Sequence, residues 1–479
     1  MDTPNILLIT TDQQRFDTIH AAGNHHIFTP HLNWLCDTGI RFSRAYSDCP
    51  VCMPARATLM TGVPGYRHGA VGNDRLEPIR GRATLPGLLT AAGYQTRAQG
   101  KMHFQPMRAK YGFETMELAH DYYRQRRQTA PFLTGAQHGQ GQNEMEPVIG
   151  SVDENHTLTR WVVDRSVDFL ETRDPERPFF LWTSISKPHP PFDPSAKFWD
   201  LYRGQPVPPA VTGDWSADPT AIPSGFLQPT AQLNNVHRFS TAQLDQIRRA
   251  YYACITEIDT NLGRLFTALR EQDLLGNTLI LFTSDHGEML GDHRMGGKST
   301  FLEPSAHVPL VVRPPGEWDR DPTRGTVCDR LATLQDILPT CLGAAGIDTP
   351  LPPEVGGHDL RALAAGTADR PRFFGQCNHL FGAIDGHWKY TCTTAGPGGE
   401  LLFNLADDPM ETRNLAAAEP ARCRTMRGDL EAELAAAGSP ALDAAGRLAP
   451  TPGLSPDDVR RWTAWPGFHS NGSVTDLLH

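Results

Sequence analysis

A chain of 479 residues, 39% hydrophobic and 20% charged, has the make-up of an ordinary soluble globular protein, long enough for one large domain and a smaller one. Extensive disorder does not fit this composition. A net charge of −10 argues against nucleic acid or an anionic membrane as the main partner, and leaves a small anionic substrate in a local basic pocket as the alternative.

The chain opens on Met1-Asp2-Thr3-Pro4, without a basic leader, and runs into the apolar stretch Asn5–Thr10. That stretch is too short for a signal-peptide core or a membrane span and reads as a strand buried on both faces. Nine cysteines, at 36, 49, 52, 254, 328, 341, 377, 392 and 423, form an odd, irregular set. Reduced thiols in the cytoplasm fit it better than a disulfide framework, with export after trimming of a leader left open.

Asp12 and Gln13 fall just past the C-terminal end of that first strand, the edge at which open α/β sheets bind ligands. Locally, Asp12 is either a turn or capping residue or a ligand. Thr29–Cys36 predicts a short helix stopped by Gly39, and Ile40–Tyr46 a strand that delivers the chain to Cys49-Pro50-Val51-Cys52-Met53-Pro54-Ala55-Arg56. Cys52 stands just before a helix-starting proline, Arg56 follows four positions on, and an apolar turn ends in Thr61-Gly62. This pattern puts a reactive group at a helix N-terminus, which binds anions. Cys49 and Cys52 also make a C-x-x-C pair, but no second pair follows at zinc spacing and the prolines weigh against a thioredoxin-like redox site.

Asn73 lies in a Gly-rich loop, Thr84–Gly93 predicts a helix, and Tyr94–Gly100 a strand ending on Lys101-Met102-His103. Residues 104–155 read as irregular, a functional or mobile loop whose Arg124, Arg126 and Arg127 form a solvated face before an anion funnel. A helix over 157–173 and a strand over Pro178–Ile185 lead to His189, stiffened by prolines on both sides. The Pro- and Gly-rich interval 203–230 reads as a surface excursion. Ile247, Tyr251, Ile255, Ile258, Leu262, Leu265 and Leu269 form the core-facing stripe of the clearest helix. The most apolar strand, Thr278–Thr283, runs into Ser284-Asp285-His286-Gly287-Glu288, with Lys298 further along the loop and Val308–Arg313 returning to the sheet.

Beyond about residue 370, short strands joined by Asp385-Gly386 and Gly396–Gly399 turns read as antiparallel, followed by a helix over 418–436. Trp462, Trp465 and Phe468 of the Ala/Gly/Pro-rich tail are expected to pack on a neighbour, a second copy in a homo-oligomer being one candidate. The fold class is therefore α/β: a large, mostly parallel mixed sheet sandwiched by helices over 1–370, then a smaller α+β domain, antiparallel sheet plus helix, over 371–479.

Strands ending at Asp12, Lys101, His189 and Asp285 bring ionisable groups to one sheet edge. Asp12, Asp285, Gln13 and His286 offer an oxygen-dominated site with one imidazole, suited to calcium, magnesium or manganese. With Arg56, Lys101, Lys298 and the helix N-terminus they would neutralise a tetrahedral oxyanion, while His103 and His189 move protons. The residues thus point to a metal-assisted hydrolase of an anionic ester with Cys52 as the nucleophile.

Cys52-Met53-Pro54-Ala55-Arg56 with Thr61-Gly62 resembles the C-x-P-x-R signature of the sulfatase family, in the alkaline phosphatase superfamily. Thr11–Arg15, Gly100–His103, Pro188-His189, Ser284–Gly287, Gly291–His293, Gly297-Lys298, Val308–Leu310, Asp385–Tyr390, Leu401–Leu405 and Asp408–Glu411 match its other landmarks in order, covering residues 5 to about 416. The resemblance implies conversion of Cys52 to formylglycine by a formylglycine-generating enzyme. One hydroxyl of its hydrate, activated by the metal and Asp285, attacks sulfur while His189 or Lys298 helps the alcohol leave. The second, deprotonated with help from His103, expels sulfate and restores the aldehyde. Arg56 and Lys101 are expected to hold the diol and its charge, and Asn73, Lys101, His189 and Lys298 to contact a small sulfate ester. The resemblance also implies one divalent ion, commonly Ca2+, with Mn2+ or Mg2+ as alternatives, held by Asp12, Gln13, Cys52, Asp285 and His286. Gln13 stands where many sulfatases carry a second Asp. The Asp-Gln and Asp-His pairs are also similar to phosphonate monoester hydrolases, which lack the Lys101 and His103 types, so that activity is the second reading. A catalytically silent binding paralogue is the third.

Overall fold

The computed structural model describes residues 3–73, 79–129, 143–218, 222–227, 236, 239–316 and 323–453. The strands are β1 (Asn5–Asp12), β2 (Ile40–Phe42), β3 (Ala45–Tyr46), β4 (Gln95–Gly100), β5 (Thr115–Leu118), β6 (Phe179–Pro188), β7 (Thr278–Ser284), β8 (Leu310–Arg313), β9 (Thr326–Cys328), β10 (Ala332–Thr333), β11 (Arg372–Cys377), β12 (Leu380–Asp385), β13 (Trp388–Thr393) and β14 (Gly399–Asn404). Eight of them form the large sheet, in the order β5-β4-β6-β1-β7-β8-β2-β9. Its first five members are mutually parallel, and β8 runs antiparallel to both β7 and β2. The sheet is thus mixed and mostly parallel, as the sequence predicts.

β1 lies at the centre, buried at every residue. Its side chains alternate between two cores, Ile6 and Leu8 on one face and Leu7 and Ile9 on the other. Each such side chain contributes about 1.5–3 kcal/mol on burial, which explains why the strand needs apolar residues in unbroken succession. The helix Thr241–Glu271 starts at a capping box formed by Ser240 and Gln243. Its Ile258, Leu262, Leu265 and Leu269 pack on the Leu7 face, whereas Ile247, Tyr251 and Ile255 belong to a separate cluster with Phe192 and Tyr202.

Two expectations are corrected. Ile40–Tyr46 is not one strand: the Ser43 N–H bonds the Cys328 carbonyl, and the chain then leaves the large sheet so that β3 pairs with β10 in a separate ribbon. The interval 104–155 is not wholly irregular, because β5 extends the sheet and the helix Ala119–Thr129 follows it. That helix is almost entirely polar, so it leaves no apolar stripe to read. The helix Ala196–Tyr202 precedes the surface excursion, whose described residues form turns, bends and a short helical turn at 224–227. Trp462, Trp465, Phe468 and the Arg127 side chain lie outside the described residues. No described helix is long and apolar enough to cross a membrane.

β11 to β14 form a four-stranded antiparallel sheet in sequence order. One face receives Met426, Leu430 and Leu434 of the helix Pro420–Ala436, and the other packs on Tyr46, Phe301 and Leu302. Gly375 and Gly382 are cross-strand partners, and a Cβ on either would stand 2.4 Å from a Phe301 ring atom, so only glycine lets that ring seat. A buried ionic knot pins the same seam. Lys389 of β13 bonds Glu303 at 2.8 Å and Glu411 at 2.9 Å, while Tyr46 and His307 donate to Glu303.

Candidate active site

The C-terminal ends of β4, β6, β1 and β7 lie side by side because these strands are parallel neighbours, and each is followed by a sequence-predicted site residue. At β4 the turn depends on Gly100. Its φ is +95° and a Cβ there would fall 2.0 Å from the Ser184 carbonyl oxygen, which instead accepts the Lys101 N–H. The chain can therefore leave the sheet immediately and aim Lys101 at the site.

Cys52 is the first residue of the helix Cys52–Thr61, which ends at Gly62 with φ +67°. Pro54 falls in the first turn, where its missing N–H has no intrahelical partner to lose. The thiol is buried, with His286 Nε2 at 3.2 Å, Lys298 Nζ at 3.3 Å, Asp12 Oδ1 at 3.7 Å and Lys101 Nζ at 3.9 Å from Sγ. Burial alone would raise its pKa; Lys101, Lys298 and His286 outweigh it and hold the thiol well below the ordinary value. The loop carrying Lys298 is tied to the nucleophile segment by the Ser299 N–H on the Pro50 carbonyl at 2.9 Å.

Arg56 lies one turn along the same helix, fully buried. Its Nε bonds Asp285 at 2.9 Å, NH2 bonds Asp12 at 3.0 Å, and NH1 bonds the Lys101 carbonyl at 2.6 Å and Ser184 Oγ at 2.8 Å. The guanidinium is thus occupied in bridging the two aspartates, not aimed at a substrate. Lys101 Nζ shares that Asp12 oxygen, Oδ2, at 2.7 Å. Burial would raise the pKa of both carboxylates; for Asp12 the Lys101 and Arg56 charges prevail and keep it ionised, whereas burial and the Asp12 charge push Asp285 up.

His286 bonds its Nδ1 to the Gly287 carbonyl at 3.0 Å and turns Nε2 inward; burial would lower its pKa, but Asp285 and Cys52 raise it, and a bound cation would take the place of the Nε2 proton. One ligand atom from each of Asp12, Cys52, Asp285 and His286 lies within 4.8 Å of all the others. Two carboxylates, an imidazole nitrogen and an acidified residue 52 fit a divalent cation. Gln13, held at φ +70°, donates its backbone N–H to Asp285 at 3.1 Å and accepts Lys298 Nζ on Oε1 at 2.8 Å.

His189 bonds Nδ1 to the Pro190 carbonyl at 2.8 Å, and burial with Lys298 and Lys101 pushes its pKa down to about 4. His103, at φ +60°, is exposed at the mouth of the site and reaches the Cys52 sulfur. Asn73 accepts the Met53 N–H at 3.1 Å, which places it at the start of the nucleophile helix. All eleven residues singled out in the sequence therefore converge on one edge.

Several contributors escaped the sequence reading. Ser184 links Arg56 to the Lys101 carbonyl; Lys187 pairs with Asp193 and bonds the Pro191 carbonyl at 2.5 Å, clamping the loop that carries His189. Asp48 accepts the Gly65 N–H at 2.5 Å and the Thr58 hydroxyl at 3.4 Å, bracing the nucleophile helix from behind. None belongs to a recognisable local pattern, apart from their positions at strand and helix ends. Beside Lys101, His103 and His189 opens a cavity of about 280 Å³, walled mainly by Phe104, Leu118, Tyr122, Tyr123, Val152 and Pro190.

Residues 4–347 match the Sulfatase family model. An arylsulfatase of Clostridium perfringens is 34% identical over 445 residues, spanning 87% of this chain and 91% of that protein. A choline-sulfatase of Rhizobium meliloti is 30% identical, spanning 86% and 82%. Among solved structures, the phosphonate monoester hydrolase of Agrobacterium radiobacter superposes with a TM-score of 0.77 at 26% identity, covering 94% of this chain and 100% of that one. The family match spans well over half of the chain and agrees with the site built above: the protein belongs to the sulfatase family of sulfuric ester hydrolases.

Proposed function

We propose that the protein hydrolyses a sulfate monoester of a small, largely apolar or aromatic alcohol, using a formylglycine matured from Cys52 and one divalent cation. The observation that carries this reading is the convergence of Asp12, Cys52, Asp285 and His286 donor atoms within 4.8 Å, with two ammonium groups beside the same sulfur. Asp12, Gln13, Asp285, His286 and residue 52 would hold the ion, which as a Lewis acid favours the ionised hydroxyl and offsets sulfate charge. The oxygen-rich set with one imidazole favours Ca2+, with Mn2+ or Mg2+ as alternatives. Hydrated formylglycine supplies two hydroxyls, one to attack sulfur and one to expel sulfate afterwards with return of the aldehyde.

The remaining roles belong to the chain's own groups. Asp285 accepts the proton of the attacking hydroxyl. Lys101 and Lys298 hold the sulfate oxygens. The Lys298 ammonium carries a proton to the departing alcohol oxygen, because the depressed pKa leaves His189 neutral at pH 7, with no such proton to give. His103 takes the proton of the second hydroxyl. Arg56 keeps Asp12 and Asp285 in position, and Asn73 steadies the helix start. The cavity beside Lys101 and His189 would receive the alcohol; its aromatic and aliphatic walls favour an aryl or hydrophobic alkyl group.

The second reading, a phosphonate monoester or phosphodiester hydrolase with the same nucleophile, is favoured by Gln13 and by the superposition on the Agrobacterium enzyme. Turnover of an aryl sulfate and an aryl phosphodiester by one preparation separates them: preference for the sulfate is expected, and preference for the diester overturns the first reading. Maturation requires a formylglycine-generating enzyme in the host, and we retain a cytoplasmic location, which fractionation of the native host tests.

A further inference from the structure

Position 13 carries an amide whose two ends differ in chemistry: the oxygen can face a cation, and the NH2 cannot. The side chain of Gln13 is gripped at both ends. Its Oε1 accepts from Lys298 Nζ at 2.8 Å, and its Nε2 donates to Glu288 Oε2 in a short contact. Glu288 is fully buried, three residues beyond Asp285 in the loop after β7. Its other oxygen, Oε1, accepts the Leu290 N–H at 2.9 Å and the Gly297 N–H at 2.5 Å. The Glu288 backbone is also fixed, with its carbonyl taking Arg15 NH1 at 3.0 Å. Both carboxylate oxygens therefore face N–H donors, and the carboxylate itself offers no donor to the amide.

We infer that Glu288 is a positioning residue that decides which end of the Gln13 amide faces the cation site. With Nε2 committed to Glu288, Oε1 must point to Lys298 and the ligand cluster, leaving a lone pair for the ion. Reversing the amide would set NH2 against the Lys298 ammonium and leave its oxygen facing a carboxylate. Outer groups of this kind commonly change metal affinity 10- to 100-fold when altered. The inference rests on the divalent-cation reading above.

The test is isosteric. In Glu288→Gln, Oε1 of the new side chain still accepts the two backbone N–H groups, so its NH2 meets the NH2 of Gln13 and the amide is driven to flip. Metal-depleted protein titrated calorimetrically with Ca2+, with Mn2+ in parallel, should bind about 10- to 100-fold more weakly than the parent. Melting of the metal-free proteins should coincide within a few degrees. The exchanged pair Gln13→Glu/Glu288→Gln restores donor-to-acceptor polarity, with Glu at 13 accepting from Gln at 288 and from Lys298, and should regain at least the parental affinity. Equal affinity of Glu288→Gln and the parent overturns the inference, as does an exchanged pair that binds weakly. Should Glu288→Gln alone fail to fold, the exchanged pair decides by the same criterion. Absence of divalent-ion binding by the parent overturns the metal reading and this inference together.

Discussion

At the seam with the antiparallel sheet, Lys389 sits between Glu303 and Glu411; at the edge of the large sheet, Arg56 sits between Asp12 and Asp285. Both are cations bridging two buried carboxylates, yet the surroundings differ. Around Lys389 the remaining valence is consumed internally: the Tyr46 hydroxyl and His307 donate to Glu303, the Glu303 N–H bonds Glu411, and the Tyr46 ring lies 5.5 Å from the ammonium. Around Arg56 the cluster holds two further ammonium groups, a sulfur and an inward imidazole nitrogen, converging with the outer oxygens of the aspartates. A buried ionic cluster closed on itself joins two structural layers. One left with donors and acceptors aimed at a common point is a site for a cation and an anion.

The sharpest way to break this contrast is at Cys52. Cys52→Ala should lower turnover by about 10⁴-fold or more while leaving the melting temperature nearly unchanged, since the removed group is small and its neighbours are paired elsewhere. Loss of folding instead would make residue 52 structural. At the seam the outcome should invert. Lys389→Met leaves two buried carboxylates without their cation and should cost about 3–5 kcal/mol in denaturant unfolding, with turnover per folded molecule close to the parent. Lys298→Ala, back at the site, should reduce kcat/KM about 10²–10³-fold with stability little affected.

A smaller effect tests the brace behind the nucleophile helix. Burial lifts the Asp48 carboxyl to about 6 against the pull of the Gly65 N–H and Thr58 hydroxyl. Between about pH 4 and 6 the folded protein retains a proton that the unfolded chain releases, so this group's contribution to stability falls as pH rises through that window. The change amounts to at most ~3 kcal/mol. Asp48→Asn keeps an acceptor for Gly65 but cannot ionise, so its stability relative to the parent should rise from pH 4 to pH 7. A constant difference across that range would show that Asp48 does not titrate there.

Much of the site was legible because parallel strands buried on both faces announce themselves as apolar runs, and their ends therefore mark the ligand edge. Asp12, Lys101, His189 and Asp285 were found in that way. The motif around Cys52 then assigned a chemistry that composition alone left as a thiol nucleophile. The use of Arg56 was not legible: the sequence suggests a charge facing the substrate, whereas burial at 0% exposure and bonds to both aspartates give it a scaffolding task. Glu288 stood in the same motif as Asp285, but its contact with Gln13 crosses 275 positions and exists only once β1 and β7 are adjacent. The polar helix Ala119–Thr129 escaped because periodicity reports only apolar stripes, and it contributes Tyr122 and Tyr123 to the wall of the alcohol pocket.

The most direct test of the account is mass analysis of the peptide containing residue 52 from enzyme that turns over an aryl sulfate, with and without an aldehyde-trapping hydrazide. The expected result is a peptide in which the thiol has been replaced by an aldehyde, and which the hydrazide captures in proportion to specific activity. A fully active preparation in which residue 52 is an unmodified cysteine throughout would contradict it.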